Sequence, residues 1–352
     1  MRHATGLSAI ALTSLAASLA IAAPSAQPPQ KAVPAPPPAA EASLSASAKM
    51  LDPIQVENLT LTPIVSTEAK PKDDKLLVLD EAMGKKLVRI HEVKDEDVNN
   101  LTLTNKADQP LFLLAGEVII GGKQDRIIGK NTIVPPKKTL TVPVFCVEHG
   151  RWDNSSKEFT TAKALAHGRL RGKANFDTQS DVWEEVAAKN EKRKTKSSTD
   201  TYRKVATQQS DGTLDAWSKQ VDTALAKLPK EAHLVGFAVA VNGKVATVDV
   251  FDSPALFKKL QTKLVRSYIT DAIDVTKAKD IKPPTAADVK AFIADAEKAQ
   301  EERAYETDYA SSDMKKGDKA AKARVMLKAA PVAGGAPAAA PPKPVYESYQ
   351  AR

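Results

Sequence analysis

The sequence predicts an α+β protein: a β-rich, antiparallel N-terminal part, sandwich- or barrel-like, packed with a helix–hairpin–helix C-terminal part. Three observations carry this. From Leu51 to about Phe159, apolar and polar residues alternate in short runs broken by turn residues, as half-buried strands require. Leu214, Trp217, Val221, Leu225 and Leu228 then recur at helical spacing, one apolar stripe. Asn242-Gly243 separates Phe237–Val241 from Lys244–Val250, the signature of a type I′ hairpin.

The chain has 352 residues. Residues 1–23 read as a secretory signal peptide: Arg2 and His3 precede the apolar run Leu7–Ala22, and small residues at Ala20, Ala22, Ala23 and Ala26 offer cleavage sites. The expected location is therefore periplasmic or extracellular, with a retained N-terminal anchor as the alternative. No later stretch approaches the roughly 18 apolar residues of a spanning helix, so no membrane span follows signal removal. Residues 24–50 form a Pro/Ala/Ser-rich linker that cannot bury apolar surface. The lone Cys146 excludes an intramolecular disulfide.

In the β-rich part, 51–160, the expected strands are Ile54–Leu61, Leu76–Leu79, Val88–Val93, Leu101–Thr104, Leu111–Leu114, Val118–Ile120, Thr132–Val134 and Thr139–Val147. A short helical stretch precedes Val88. Within Thr139–Val147, Leu140, Val142, Val144 and Cys146 share one face, which makes Cys146 a buried thiol rather than a nucleophile. Residues 161–309 belong to the same folded unit. They begin with the basic stretch Ala166–Lys173, expected as an exposed loop that could cover an anion. Thr178 caps a helix containing Val182, Trp183 and Val186. After the hairpin, Ser253 caps and Pro254 opens a helix to about Ile273, with Phe257, Leu260, Leu264 and Tyr268 as its buried stripe. A last helix, capped at Thr285 with Asp288, runs to about Arg303. The Lys-, Pro- and Ala-rich residues 310–352 are expected to be a disordered tail.

The net charge of +8 is local: residues 161–204 and 311–352 carry +5 each. No nucleic-acid module accompanies it, so solvated basic segments are the expectation. His3, His91, His149, His167 and His233 lack ligand spacing, and no metal site is expected. A G-x-S-x-G elbow and a dinucleotide fingerprint are both missing.

Two polar clusters at strand ends concentrate the chemistry. In Gly121-Gly122-Lys123-Gln124-Asp125-Arg126 the glycines allow positive φ and close backbone approach, so N–H groups can turn toward an anion. Lys123 and Arg126 add charge and Gln124 an amide. A nucleotide P-loop is excluded, because Glu117 stands where its first Gly is needed and Gln124 where Ser or Thr would hold magnesium. A plain tight turn explains the glycines equally. In Glu148-His149-Gly150-Arg151-Trp152, a carboxylate beside imidazole and guanidinium can do acid–base work, and Trp152 offers a stacking surface. A strand-end salt bridge with a packed Trp is the plainer alternative.

At these residues the chain resembles the ARG and rhodanese-phosphatase-superfamily-associated protein domain family, a family of unknown function in whose name ARG abbreviates ADP-ribosylglycohydrolase. The resemblance rests on Gly116-Glu117, the 121–126 cluster and Val142–Trp152, with weaker matches at Ser180–Trp183 and Val235–Asp252. It covers roughly Leu51 to Asp274. The chain departs from the family pattern at Asp125, where Asn is usual, and at His149, where Gln is usual.

The first functional expectation is a binding site for a small anionic ligand, nucleotide- or ADP-ribose-like among the candidates, formed by Gly121, Gly122, Lys123, Gln124, Arg126, Arg151 and Trp152. A hydrolase acting on such a ligand, with Glu117 or Glu148 as catalytic base, is the second. A non-catalytic envelope interaction domain, its clusters only bracing the fold, is the third. If the first holds, Lys123, Arg126, Glu148 and Arg151 should line one concavity.

Overall fold

The computed structural model describes residues 43–67, 75–93, 97–152, 158–207, 212–229, 231–328 and 341–352. The expected signal peptide, most of the linker and the Ala/Pro-rich run 329–340 lie outside them. The fold is α+β and built on antiparallel sheets. At the middle of a nine-stranded sheet is the hairpin Leu234–Val241/Lys244–Phe251. Its turn forms as Asn-Gly dictates, with φ of 50° at Asn242 and 75° at Gly243. A Cβ on Gly243 would also lie 2.5 Å from the Lys282 carbonyl oxygen.

The expected helix–hairpin–helix part is not seen as such, because the hairpin is the centre of a sheet whose other strands come from outside residues 161–309 as well as from within. On one side Leu234–Val241 pairs with Leu59–Ser66, which in turn pairs with Ile54–Val56 and Ala48–Met50. On the other side Lys244–Phe251 pairs with Lys343–Ala351, followed by Ala320–Leu327, Ala310–Lys316 and Glu301–Glu306. N-terminal, central and C-terminal segments thus share one sheet, which runs across the boundary drawn at residue 160 within the folded unit. Local signals specify a hairpin well, but its neighbours in the sheet are set by long-range register.

Two further expectations change for a related reason. Residues 43–50 are not linker: Leu44 is buried and Ala48–Met50 is a strand. The tail is structured over 310–328 and 343–351. Its composition concealed this because most buried positions hold Ala, Ser, Tyr and charged residues, with Val325, Met326 and Val345 the few larger aliphatic side chains. Lys322, 3% exposed, donates to Glu347 at 2.8 Å and to Glu297 at 2.7 Å. The last helix stops earlier than expected, at Glu297, and Glu301–Glu306 is the sheet's edge strand.

Helices cover both faces of this sheet. Pro254–Ala272 begins at Ser253, whose Oγ accepts the Ala255 and Leu256 N–H groups at 3.1 and 3.3 Å. Its buried stripe, including Phe257, Leu260, Leu264 and Tyr268, packs with Phe237 and Phe251 of the hairpin. Ala286–Glu297 covers the opposite face, where Val289 and Ala296 meet Val248, Val250 and Tyr349.

A six-stranded antiparallel sheet carries the candidate site. Its order is Phe159–Leu165, Glu117–Gly121, Arg126–Ile128, Thr139–Cys146, Asn100–Asn105 and Val88–Glu92. Arg126–Ile128 and Phe159–Leu165 were not legible as strands. One face packs Ile119, Leu103, Ile90, Val142 and Val144 into an apolar core. The other face presents Val118 and Ile127 to Leu170, Ala174, Val182 and Val186 of the helices Gly168–Phe176 and Gln179–Arg193. A small third sheet joins Thr132–Val134, Leu111–Leu113 and Leu77–Val78.

The helix Gly168–Phe176 replaces the exposed basic loop expected at Ala166–Lys173. Arg171 is buried in it and donates to both Asp249 carboxylate oxygens at 3.1 Å and to the Tyr346 hydroxyl at 2.7 Å. Burial alone would raise the Asp249 pKa, but Arg171 and the Tyr268 and Tyr346 hydroxyls hold it below the ordinary value. This pair fastens the helix to the hairpin and to the C-terminal strand.

Deleting residues 343–352 removes an interior strand, so loss of cooperative unfolding is expected, read by circular dichroism and urea titration; an unchanged transition would show that the strand is dispensable. Glu297 gives a pH test. Burial opposes its ionisation, but Lys322, Tyr349 and Lys315 pull its pKa from 4.5 down to about 2. A carboxylate depressed in the folded state stabilises above its unfolded pKa and loses that contribution as pH falls through the folded value. The stability gap between the protein and Glu297→Gln should therefore be widest at pH 7 and shrink as pH falls from about 4.5 toward 2. A gap independent of pH would contradict this.

Candidate functional site

Strand pairing brings the two polar clusters together. Cys146 lies opposite Arg126, so the chain leaving Thr139–Cys146 runs beside the turn at 121–125, and the Val147 N–H donates to the Asp125 carbonyl at 3.0 Å. Glu148 Oε2 accepts from the Asp125 N–H at 3.0 Å, from Arg151 Nε at 3.0 Å and from Arg151 Nη2 at 2.8 Å. Arg151 Nη1 donates to the Gly122 carbonyl at 2.8 Å. The glycines are required by close approach. Gly121 has φ of 119° and Gly122 of 54°, and Cβ atoms there would lie 2.3 Å from the Glu158 carbonyl oxygen and 2.1 Å from the Phe159 ring.

The centre of this arrangement is Asp125, which has no solvent exposure. Its carboxylate accepts from the Gly121 N–H at 3.1 Å, the Thr201 hydroxyl at 2.8 Å, and Arg203 Nε and Nη2 at 2.8 and 2.6 Å. Arg151 Nη2 approaches it at 3.5 Å. Hydrogen bonding to Asp125 raises the Arg203 pKa further, so its charge is fixed. Thr201 and Arg203 were not singled out from the sequence. The only signal there is that Arg203-Lys204 closes the basic 161–204 segment.

Above these pairs is a cavity of about 600 Å³, open to solvent, lined by residues including Gly121, Glu148, Arg151, Thr201, Arg203 and Lys204. Ser197 and Thr199 also line it. Three groups remain uncommitted among the described residues: Glu148 Oε1, Arg203 Nη1 and the Lys204 ammonium. The Ser197 Oγ is buried without a partner. The arrangement can therefore hold a ligand between fixed cations and hydroxyls, with one carboxylate oxygen already oriented.

Of the four side chains expected in one concavity, Glu148 and Arg151 are there and Arg126 and Lys123 are not. Successive strand side chains point to opposite faces. Asp125 therefore faces Thr201 and Arg203, while Arg126 turns to the other side beside Cys146. Arg126 is fully buried, its Nη1 donating to Gln124 Oε1 at 3.3 Å, with Nε and Nη2 unpartnered. Gln124 is thereby occupied, and buried, away from the cavity. The Lys123 ammonium sits 4.8 Å above the half-exposed Trp152 ring, a cation–π pair beside the cavity and not among its walls. Glu117 is at a different place altogether. It is buried, accepts the Leu114 N–H at 2.9 Å and forms an ion pair with Lys263. Burial raises its pKa and Lys263 opposes the rise. A base held in that pair cannot serve the Glu148 cavity.

Cys146 is buried, its Sγ 3.6 Å from the Val98 carbonyl, and burial pushes the thiol pKa up. His149 is exposed and stacks edge-on against Trp183 at 4.7 Å. Among the described residues no group of three or more His, Cys, Asp or Glu could hold a metal ion.

The chain matches the ARPP-1 domain, the ARG and Rhodanese-Phosphatase-superfamily-associated Protein domain, over residues 47–334. No curated protein and no solved structure matches it.

The geometry makes Asp125 the support of the site. Asp125→Ala should cost about 3–5 kcal/mol, because it leaves buried donors without an acceptor. Arg203→Ala leaves the carboxylate with the Gly121 N–H, the Thr201 hydroxyl and Arg151 as donors, so it should cost less than Asp125→Ala. Urea unfolding of both variants measures the difference, and equal costs would contradict the assignment.

Proposed function

Starting from a chain that belongs to the ARG and Rhodanese-Phosphatase-superfamily-associated Protein domain family, we propose that the Asp125–Glu148–Arg151–Arg203 cavity binds a small anionic ligand carrying phosphate or carboxylate. Nucleotide- or ADP-ribose-like compounds fall within that class. One observation carries the reading. Asp125 and Glu148 engage Arg151 and Arg203, yet Lys204 and Arg203 Nη1 remain without acceptors on the open side. Ser197 and Thr199 line the cavity beside them.

A ligand here meets arginines already fixed by buried carboxylates, so little side-chain ordering remains to oppose binding. The supporting role of the two carboxylates and the binding role of the cations are compatible. The first places the second.

Hydrolysis of the bound ligand is a second reading, favoured by Glu148. Three donors hold its Oε2, and Oε1 is left as an oriented acceptor on a cavity wall. Such an oxygen can take a proton from an attacking water. Glu117 has no part in this.

Thermal shift and titration calorimetry with inorganic phosphate, ADP and ADP-ribose test the proposal. Ligand at a hundred times its Kd should add about 2.7 kcal/mol to stability. Lys204→Ala should weaken binding about tenfold, about 1.4 kcal/mol. No shift with any of these anions, or affinity indifferent to Lys204, would refute binding at this cavity. Glu148→Gln separates the two readings: a hydrolase loses turnover and keeps the ligand, whereas turnover surviving the change excludes Glu148 as its base.

A further inference from the structure

A second cavity, of about 280 Å³, shares two walls with the first. On the strand Phe159–Leu165, Thr160 lines the first cavity, and Ala162 to Leu165 line the second. On the segment around the short helix Arg203–Ala206, Arg203 and Lys204 face the first, and Tyr202, Val205 and Ala206 face the second. The two cavities are therefore neighbours on shared elements. Strand rise places Thr160 and Lys163 at most about 10 Å apart.

The shared strand is irregular at the second cavity. Its pairing with Glu117–Gly121 shifts register between Thr161 and Leu165. Lys163, inside that bulge, has φ of 53°, a left-handed conformation that costs a non-glycine residue roughly 1 kcal/mol or more. Thr161 Oγ1 holds it there by accepting the Lys163 N–H at 2.9 Å and donating to Asp80. Bulges of this kind re-aim a side chain out of the regular pleat. Here the side chain is a lysine on a cavity wall.

The other cations of the second cavity are engaged. Arg266 donates to Asp215 at 2.9 Å, and Lys263 is held between Asp80 and Glu117. Among the described residues the Lys163 ammonium has no acceptor. Each cavity thus contains one uncommitted lysine, Lys204 in the first and Lys163 in the second, on walls common to both.

We infer that the two neighbouring cavities together take a ligand with two anionic groups on one spacer: one group in the Arg203–Lys204 cavity, the other at Lys163. The inference rests on the anion-binding reading of the first cavity. A second anion tethered to a bound first one meets Lys163 at high effective concentration, so the two-headed ligand gains affinity only if its span fits.

Calorimetry on the full chain with inorganic phosphate, pyrophosphate and fructose 1,6-bisphosphate tests this. Pyrophosphate carries two phosphates with almost no spacer and controls for charge alone. The bisphosphate should bind at least about tenfold tighter than either. Lys163→Asn, which keeps a residue tolerant of left-handed φ, should bring the ratio of bisphosphate to phosphate affinity near one. Lys204→Ala should weaken all three. Phosphate binding that depends on Lys204, with no bisphosphate advantage or with an advantage that survives Lys163→Asn, overturns this inference and leaves the first reading standing. No binding of any of the three to the unaltered chain removes both.

Discussion

Everything about the candidate site depends on burying one carboxylate. Asp125 has no solvent contact, and an isolated charge in that position would be prohibitive. It is tolerated because donors from three separate stretches of chain converge on it: the Gly121 N–H, Arg151, and the Thr201–Arg203 pair. The convergence in turn fixes where Arg151 and Arg203 point. Glycine at 121 and 122 follows from the same requirement, since the backbone must pass against Glu158 and Phe159 to bring its N–H groups round.

The same device recurs away from the site. Asp249 joins Arg171, Tyr268 and Tyr346 inside the protein. Glu347 and Glu297 flank Lys322 between the last helix and the sheet. Both networks join elements distant in sequence, and breaking one partner is far more costly than the pair is stabilising. Each is therefore compatible with one pairing of the elements it joins and penalises others. A sheet whose outer strands offer mostly Ala, Ser and Lys cannot select its pairing by apolar pattern alone, and buried ion pairs supply the missing specification.

This explains what could be read from the sequence. Asn242-Gly243 and Ser253-Pro254 are local chemistry, and both formed as expected. The capping boxes at Thr178–Asp181 and Thr285–Asp288 are also present. The family resemblance was legible for the same reason, since it lies in contiguous residues such as Gly121–Arg126. By contrast, the C-terminal strands bury Lys322, Glu347 and Asp313, residues whose burial makes sense only once their partners are in place. A contiguous six-residue polar cluster reads as one surface in sequence, which puts Arg126 on the wrong side. Strand alternation divides it, with Asp125 on one face and Arg126 on the other. Arg203 and Lys163 could not be found at all from spacing, since one depends on a contact 78 residues away and the other on a bulge.

Fixed arginines are usually counted as strong anion binders, but here their strength is partly spent. A guanidinium already bidentate to Asp125 offers a ligand only its remaining N–H groups, and its field is largely cancelled by the carboxylate beneath it. In the proposed anion site, net attraction must then come from the charges left over, Lys204 and Arg203 Nη1. Those groups are on the solvent side, where salt screens them over about 8–10 Å. Such a site favours shape and hydroxyl pattern over raw charge, and its affinity for a lone phosphate should be modest and salt-sensitive. On the proposed reading a ligand would gain most by reaching a second uncommitted cation, and Lys163 lines the adjoining cavity.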